Sequence, residues 1–242
     1  MVRTSTENGV ATITLARAEK RNACTPAMLV DLEAAIRGVC GRVLVLTGDG
    51  DVFCSGFDLT LCKDDDRVLG QLLGGLSACV RALRAMDMPV VVSAHGAAIA
   101  GGCALLGGCD VVVTNSDAKL GYPVLPLGIS PAVSAPTLAS LTGHGHARAL
   151  LLGARVISGT EALRMGLAHA CEPTVLACRE RAAVFAAALA AKPPHALAAT
   201  KAWLRELDPA TDAQVMAALA ASMSVVNSEE QRALLPAVWA RG

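Results

Sequence analysis

Aromatic residues are almost missing from this chain: three Phe, two Trp and one Tyr among 242 residues. A core without rings must be filled by Ala, Val and Leu, and an apolar content of 53% is ample for that. Excess charge of either sign is also missing, since 21 basic residues face 21 acidic ones. A broad nucleic-acid surface needs clustered Lys and Arg, so a nucleic-acid partner is excluded. The nine cysteines include no CxxC pair and no Cys/His group at zinc spacing, so no metal site is expected. An odd cysteine count without an apolar signal core in Met1 to Gly9 points to reduced thiols and a cytoplasmic location. An unbroken apolar run is lacking too. Met88 to Cys109 is 22 residues without Asp, Glu, Lys or Arg, but it holds Pro89, Ser93, His95 and five glycines. Leu120 to Ala147 is likewise uncharged and holds four prolines. Such breakers suit buried strand-loop-helix pieces, and no membrane span is expected. The length suits one domain or a core with a small appendage.

The patterns present are those of an α/β protein. Val10 to Leu15 alternates as a strand does. Thr25-Pro26 reads as a helix start, with Thr as cap and Pro at the first helical position. Met28, Leu29, Leu32, Ala35, Ile36 and Val39 follow at helical spacing. Val43 to Leu46, Val90 to Val92 and Val111 to Val113 are short apolar runs, as in the buried strands of a parallel sheet. Leu69, Leu72, Leu73, Leu76, Val80 and Leu83 mark a second amphipathic helix. Ser158-Gly159-Thr160-Glu161 reads as a capping box, and Gly166 as the stop of its short helix. From Thr174 onward only helices are expected: about 174–191, 195–206 and 211–226, then one capped at Ser228. Strands alternating with helices, then helices alone, predict an α/β core followed by a helical region. Asp64-Asp65-Asp66 reads as a solvated loop, because three adjacent acids do not face one point.

Four segments in order carry a resemblance. They are Lys20-Arg21-Asn22-Ala23; Val43 to Leu59 (VLVLTGDGDVFCSGFDL); Met88 to Asp110 (MPVVVSAHGAAIAGGCALLGGCD); and Leu152 to Leu167 (LGARVISGTEALRMGL). Together they are similar to the crotonase superfamily, the enoyl-CoA hydratase/isomerase family. The resemblance implies a spiral core of ββα repeats over residues 1–173, holding an acyl-CoA or enoyl-CoA thioester. It implies a helical oligomerisation region over 174–242, and a homotrimer or homohexamer. Coenzyme A enters as part of the ligand. The resemblance assigns Phe57 and Gly101 as backbone N–H donors to the thioester oxygen, and Arg21, Asn22, Ala23, Asp58 and Leu59 as coenzyme A contacts. Lys201 is a candidate for the nucleotide phosphates. The physical case agrees: acyl-CoA chemistry gathers negative charge on that oxygen, which two aimed N–H groups stabilise, and glycine allows the backbone to come close.

The departure from the family is chemical. Hydratases of this family move protons with two glutamates, and the resemblance puts Ala104 and Val124 at these positions. Neither side chain can hold water or carry a proton. His95 has a suitable pKa range for a substitute base, with a packed histidine as the plain alternative; Asp110 reads as structural. Asp117, Tyr122 and Cys103 are further candidates, and His144 with His146 make only a faint metal pair. Leu141 to Leu152 resembles a mycobacterial, acyl-CoA-shuttling member of the family that lacks the glutamates. Two readings stay open: a thioester-binding or shuttling protein that does not hydrate, and an enzyme (hydratase, isomerase, thioester hydrolase or decarboxylase) working through the N–H pair and substitute residues. Dinucleotide binding is set aside, since residues 96–101 do not spell GxGxxG and no ribose-binding acid follows.

Overall fold

The computed structural model describes residues 1–241; Gly242, the end of the helical region expected over 174–242, lies outside the described residues. The chain opens with a hairpin of β1 (Val2–Glu7) and β2 (Val10–Leu15). Its two-residue turn, Asn8-Gly9, has φ of 51° and 79°, the left-handed pair that matches hairpin twist. The sequence reading missed β1 because most of it is exposed and shows no apolar alternation; the Asn-Gly pair was the available signal. Thr25 caps α1 (Pro26–Gly38), its Oγ1 accepting the Met28 N–H at 3.1 Å. Then come β3 (Val43–Gly48), α2 (Val68–Ala85), β4 (Val90–Ala94), β5 (Ala97–Ile99), α3 (Gly101–Leu106), β6 (Val111–Asn115), β7 (Lys119–Gly121) and α4 (Ala135–Leu152). The C-terminal part holds β8 (Val156–Ser158), α5 (Gly159–Arg164), β9 (Ala170–Glu172), α6 (Val175–Ala190), α7 (Pro194–Leu207), α8 (Asp212–Met223) and α9 (Glu229–Leu234).

Two sheets result. The larger has the order β1-β2-β3-β4-β6-β9, parallel except for the β1–β2 hairpin; the smaller has the order β5-β7-β8. A long strand in the large sheet, a short extended segment in the small one and a helix recur as a unit. The units are β3, Cys54 and α2; β4, β5 and α3; and β6, β7 and α4, with Cys54 bridged to Ala98 of β5. This is the spiral of ββα repeats. The short strands of the small sheet escaped the sequence reading, because three residues carry no periodicity.

The expected apolar stripe of α2 faces inward: Leu69, Leu72, Leu73, Leu76, Val80 and Leu83 are buried. Each fully enclosed Leu contributes about 2 kcal/mol. On the opposite face of the large sheet, Cys178, Ala182, Ala186 and Ala190 of α6 pack on Val43, Val91 and Val113. The helical C-terminal region therefore begins by completing the core. The capping box expected at Ser158 is half made. Ser158 accepts the Glu161 N–H at 3.1 Å, but the Glu161 carboxylate pairs with Arg155 at 2.9 Å. The reciprocal box forms at Thr211 and Gln214 instead. Among the described residues no single helix is long and apolar enough to cross a membrane.

Candidate functional site

The site forms where the small sheet hands over to α3. Ala100, between β5 and α3, has φ 49° and ψ −109°, a positive-φ conformation that costs a residue with a Cβ about 1–3 kcal/mol. Its N–H donates to the Gly121 carbonyl at 2.7 Å, which anchors the turn. The first N–H groups of a helix have no acceptor within it, and that of Gly101 finds none elsewhere among the described residues. Facing it is the loop through Phe57. Cys24 grips this loop on both sides: its N–H donates to the Gly56 carbonyl at 2.7 Å, and its carbonyl accepts the Asp58 N–H at 2.9 Å. The Phe57 N–H between them is also without an acceptor among the described residues. The two segments touch so closely that glycine is required. A Cβ on Gly101 would lie 2.7 Å from the Phe57 ring, and one on Gly102 would lie 2.6 Å from the Cys54 carbonyl oxygen.

Phe57 and Gly101 line a cavity of about 370 Å³. Leu73 and Leu76 of α2 and Ile129 and Val133 of the 122–134 loop give it apolar walls, and Val238 arrives from the C-terminal turn. Ala23, Asp58 and Leu59 line it as well, and so does Lys20. Val124 stands on the wall, whereas Ala104 is buried in the core and does not line the cavity. Arg21 is exposed with φ 52°, off the cavity wall, and its carbonyl accepts the Ser55 N–H at 3.0 Å.

Asn22 departs from the expectation of a ligand contact. It is fully buried, and its Nδ2 donates to the Asp49 and Val52 carbonyls, both at 2.9 Å, while its Oδ1 accepts the Arg17 N–H at 2.9 Å. Its side chain braces two loops and touches no cavity. Lys201 is also engaged elsewhere, donating to Asp110 at 2.7 Å and to the Met88 carbonyl at 2.9 Å. Asp110 is structural, accepting the Val90 N–H at 2.7 Å.

Among the described residues the one carboxylate on the cavity wall is Asp58. Burial pushes its pKa up, but hydrogen bonds from Thr60 and Arg17 and the Arg17 charge outweigh this and hold it below its ordinary value. Its ion pair with Arg17 measures 2.8 Å. It is a poor proton acceptor. His95 is not in the cavity at all. It is fully buried beside the large sheet, with Nδ1 3.0 Å from the Ser93 carbonyl and Nε2 3.1 Å from Arg179 Nη2. Burial first and the Arg179 charge second push its pKa down to about 4. It is the packed histidine, because Arg179 fills the nitrogen a base would need. Tyr122 is on the wall, its phenol raised well above 10 by burial and by Cys103; burial also lifts the Cys103 thiol to about 12. Neither ionises near neutral pH. His144 and His146 are exposed on α4.

Sequence reasoning missed Lys20, Leu73, Leu76 and Val238 as wall residues. Lys20 sat in a motif already singled out; the two leucines read as ordinary core. Val238 gave no signal, since its neighbour Trp239 meets Leu59 across 180 positions, donating Nε1–H to its carbonyl at 3.0 Å.

A family model described as enoyl-CoA hydratase/isomerase matches residues 5–235. The chain is 36% identical over 177 residues to the probable enoyl-CoA hydratase echA6 of Mycobacterium leprae, covering 70% of each. It is 33% identical over 208 residues to the 2,3-dehydroadipyl-CoA hydratase of Escherichia coli, covering 84% of this chain and 80% of that one. Among solved structures, an enoyl-CoA hydratase/isomerase from Xanthobacter autotrophicus Py2 superposes with TM-score 0.87 at 25% identity, covering 99% of this chain and 96% of that one. One from Mycobacterium paratuberculosis gives TM-score 0.88 at 24% identity, covering 98% and 97%, and speaks for the fold alone. With its ββα spiral and its glycine-tight junction of Phe57 and Gly101, this chain belongs to the enoyl-CoA hydratase/isomerase family of the crotonase superfamily.

Proposed function

We propose that this protein holds a coenzyme A thioester with its carbonyl oxygen between the N–H groups of Phe57 and Gly101, and does not hydrate 2-enoyl thioesters as a hydratase does. The observation that carries this reading is the cavity wall. Among the described residues it presents two N–H donors without an acceptor and one carboxylate, Asp58, which is held by Arg17 and Thr60. Hydration needs a base to activate water and an acid to protonate the α-carbon. Val124 on the wall and Ala104 behind it supply neither. The names of similar chains, which include a crotonyl-CoA hydratase and a short-chain-enoyl-CoA hydratase, support the ligand class. Lys20 and the neighbouring Arg21 offer cations to the coenzyme A phosphates, with Ala23, Asp58 and Leu59 alongside. Leu73, Leu76, Ile129 and Val133 favour a long or branched acyl group. Cytoplasmic acyl-CoA binding or shuttling in fatty-acid metabolism fits this set. A homotrimer or homohexamer built through residues 174–242 belongs to the same reading. Trp203, Leu204 and Leu207 on α7 support it, being 64%, 61% and 62% exposed.

The test mixes purified protein with crotonyl-CoA and with a long-chain 2-enoyl-CoA, following the conjugated-thioester absorbance beside binding calorimetry. Binding with constant absorbance is expected. A kcat of about 1 s⁻¹ or more, within the ordinary enzyme range, overturns the reading.

The free N–H pair also favours a second reading, an enzyme passing through an enolate or related oxyanion, such as a thioester hydrolase, decarboxylase or isomerase. Conversion of an acyl-CoA or enoyl-CoA to a new product, read by mass spectrometry of the thioester, supports the enzyme; an unchanged thioester overturns it.

A further inference from the structure

Behind the cavity wall lie two thiols that this reading leaves unused. Cys24 and Cys54 are fully buried, with their Sγ atoms 3.6 Å apart. Both are built into the backbone that sets the N–H pair. Cys24 holds the Gly56 carbonyl and the Asp58 N–H on either side of Phe57. Cys54 donates its N–H to Ala97 and accepts that of Ile99, the residues leading into Ala100 and Gly101. It also packs under the start of α3, where a Cβ on Gly102 would sit 3.0 Å from its sulfur. Ala23 and Ser55, the chain neighbours of the two cysteines, line the cavity.

We propose that Cys24 and Cys54 are an oxidisable dithiol, joined to a disulfide by hydrogen peroxide, and that closing the bond re-sets the gap between Phe57 and Gly101. The sulfur of Cys54 attacks the peroxide and cleaves its O–O bond, giving a sulfenic acid and one water. The sulfur of Cys24 then attacks that sulfur, forming the S–S bond, and the sulfenic oxygen leaves as a second water. Both thiol protons leave in the two waters; the thiols are oxidised and the peroxide is reduced. The contact between the two sulfurs lets the second attack directly once the first is oxidised. A disulfide needs the sulfurs at about 2.05 Å, so they must close by about 1.5 Å from 3.6 Å. A close-packed interior transmits such a shift instead of absorbing it. The movement falls on Gly56 to Asp58 and on the start of α3, the two carriers of the free N–H groups.

The experiment treats the whole protein with hydrogen peroxide, blocks remaining thiols and maps tryptic peptides. Cys24 is the one cysteine between Arg21 and Arg37, and Cys54 lies with Cys62 between Arg42 and Lys63; fragment ions separate the latter two. The expected product links Cys24 to Cys54, disappears on reduction with dithiothreitol, and is absent from Cys24→Ser and from Cys54→Ser. Linkage through Cys62, or oxidation confined to the exposed Cys40, overturns the pairing. The second readout is calorimetry with a long-chain acyl-CoA on the reduced and oxidised protein, which rests on the proposed function. A change in affinity of about tenfold, reversed by dithiothreitol, is expected for a misplacement of this size. Unchanged affinity in the linked protein overturns the coupling to the N–H pair. If the reduced protein binds no coenzyme A thioester, the functional reading fails while the peptide map still decides the pairing.

Discussion

Asn22 is the clearest case of a residue whose role changes between sequence and structure. In the motif Lys20-Arg21-Asn22-Ala23 it reads as a ligand contact, yet its amide joins residues 17, 49 and 52 inside the fold. Replacing it by Ala leaves two half-buried carbonyls and one half-buried N–H without this partner, and each such loss costs on the order of 1 kcal/mol. Asn22→Ala is therefore expected to destabilise by about 3 kcal/mol or more, lowering Tm by about 10 °C in a chain of this size. Thermal unfolding measures it; a shift under about 2 °C would mean that the brace is dispensable. Amide and surface contact look alike in a one-dimensional motif, because neighbouring residues in a turn point in different directions. Ala23 faces the cavity, Asn22 faces the interior, and Arg21 faces solvent.

At the scale of the element, the segments that make the site are short and held by their neighbours. The C-terminal 3-10 turn, Leu235–Arg241, puts Val238 on the cavity wall and ties Trp239 to the Leu59 carbonyl. Trp239→Phe keeps a ring but removes the donor, a loss of about 1 kcal/mol. If this turn helps shape the ligand site, acyl-CoA affinity falls about fivefold, as read by calorimetry. An unchanged Kd would assign the turn to packing alone. Most long helices were legible, since Thr25, Thr174 and Ser228 cap where their residue types say they should and the α2 stripe is buried as spaced, but α4 was not, because its prolines and glycines read as a loop. The three-residue strands β5, β7 and β8 were not. Their extended shape comes from pairing with one another, as Ala98 does with Leu120 and Leu120 with Ile157.

For the whole molecule, the buried histidine governs part of the acid stability. His95 is held at about 4 in the fold against about 6.5 when unfolded. Above pH 6.5 neither state binds the proton. Between about 6.5 and 4 the unfolded chain binds a proton that the fold refuses, so stability falls as pH drops, by roughly 3 kcal/mol in all. His169, lowered by burial, acts in the same direction. The expected outcome is a Tm that declines from pH 6.5 to 4.5, and a shallower decline in His95→Gln, whose amide can serve both Ser93 and Arg179 without taking a proton. An identical slope in that variant would place the acid sensitivity elsewhere.

Taken alone, the order of residues determined the alternation of strand and helix, the helical C-terminal third and the absence of acids at positions 104 and 124. These are local properties: periodicity, capping chemistry and the identity of a side chain. Phe57 and Gly101 were reachable only by resemblance to a family, since a Gly-Gly pair has many uses. The tertiary structure decided which of the remaining candidates share a space. It put Val124 and Lys20 on the cavity wall, took His95 and Lys201 away from it, enclosed Asn22, tied Asp58 to Arg17, and brought Cys24 to 3.6 Å from Cys54. The reason is that each of these outcomes depends on segments 27 or more residues apart in the chain meeting in space. Neither the partner of a buried polar group nor the direction it faces is written in its immediate neighbours.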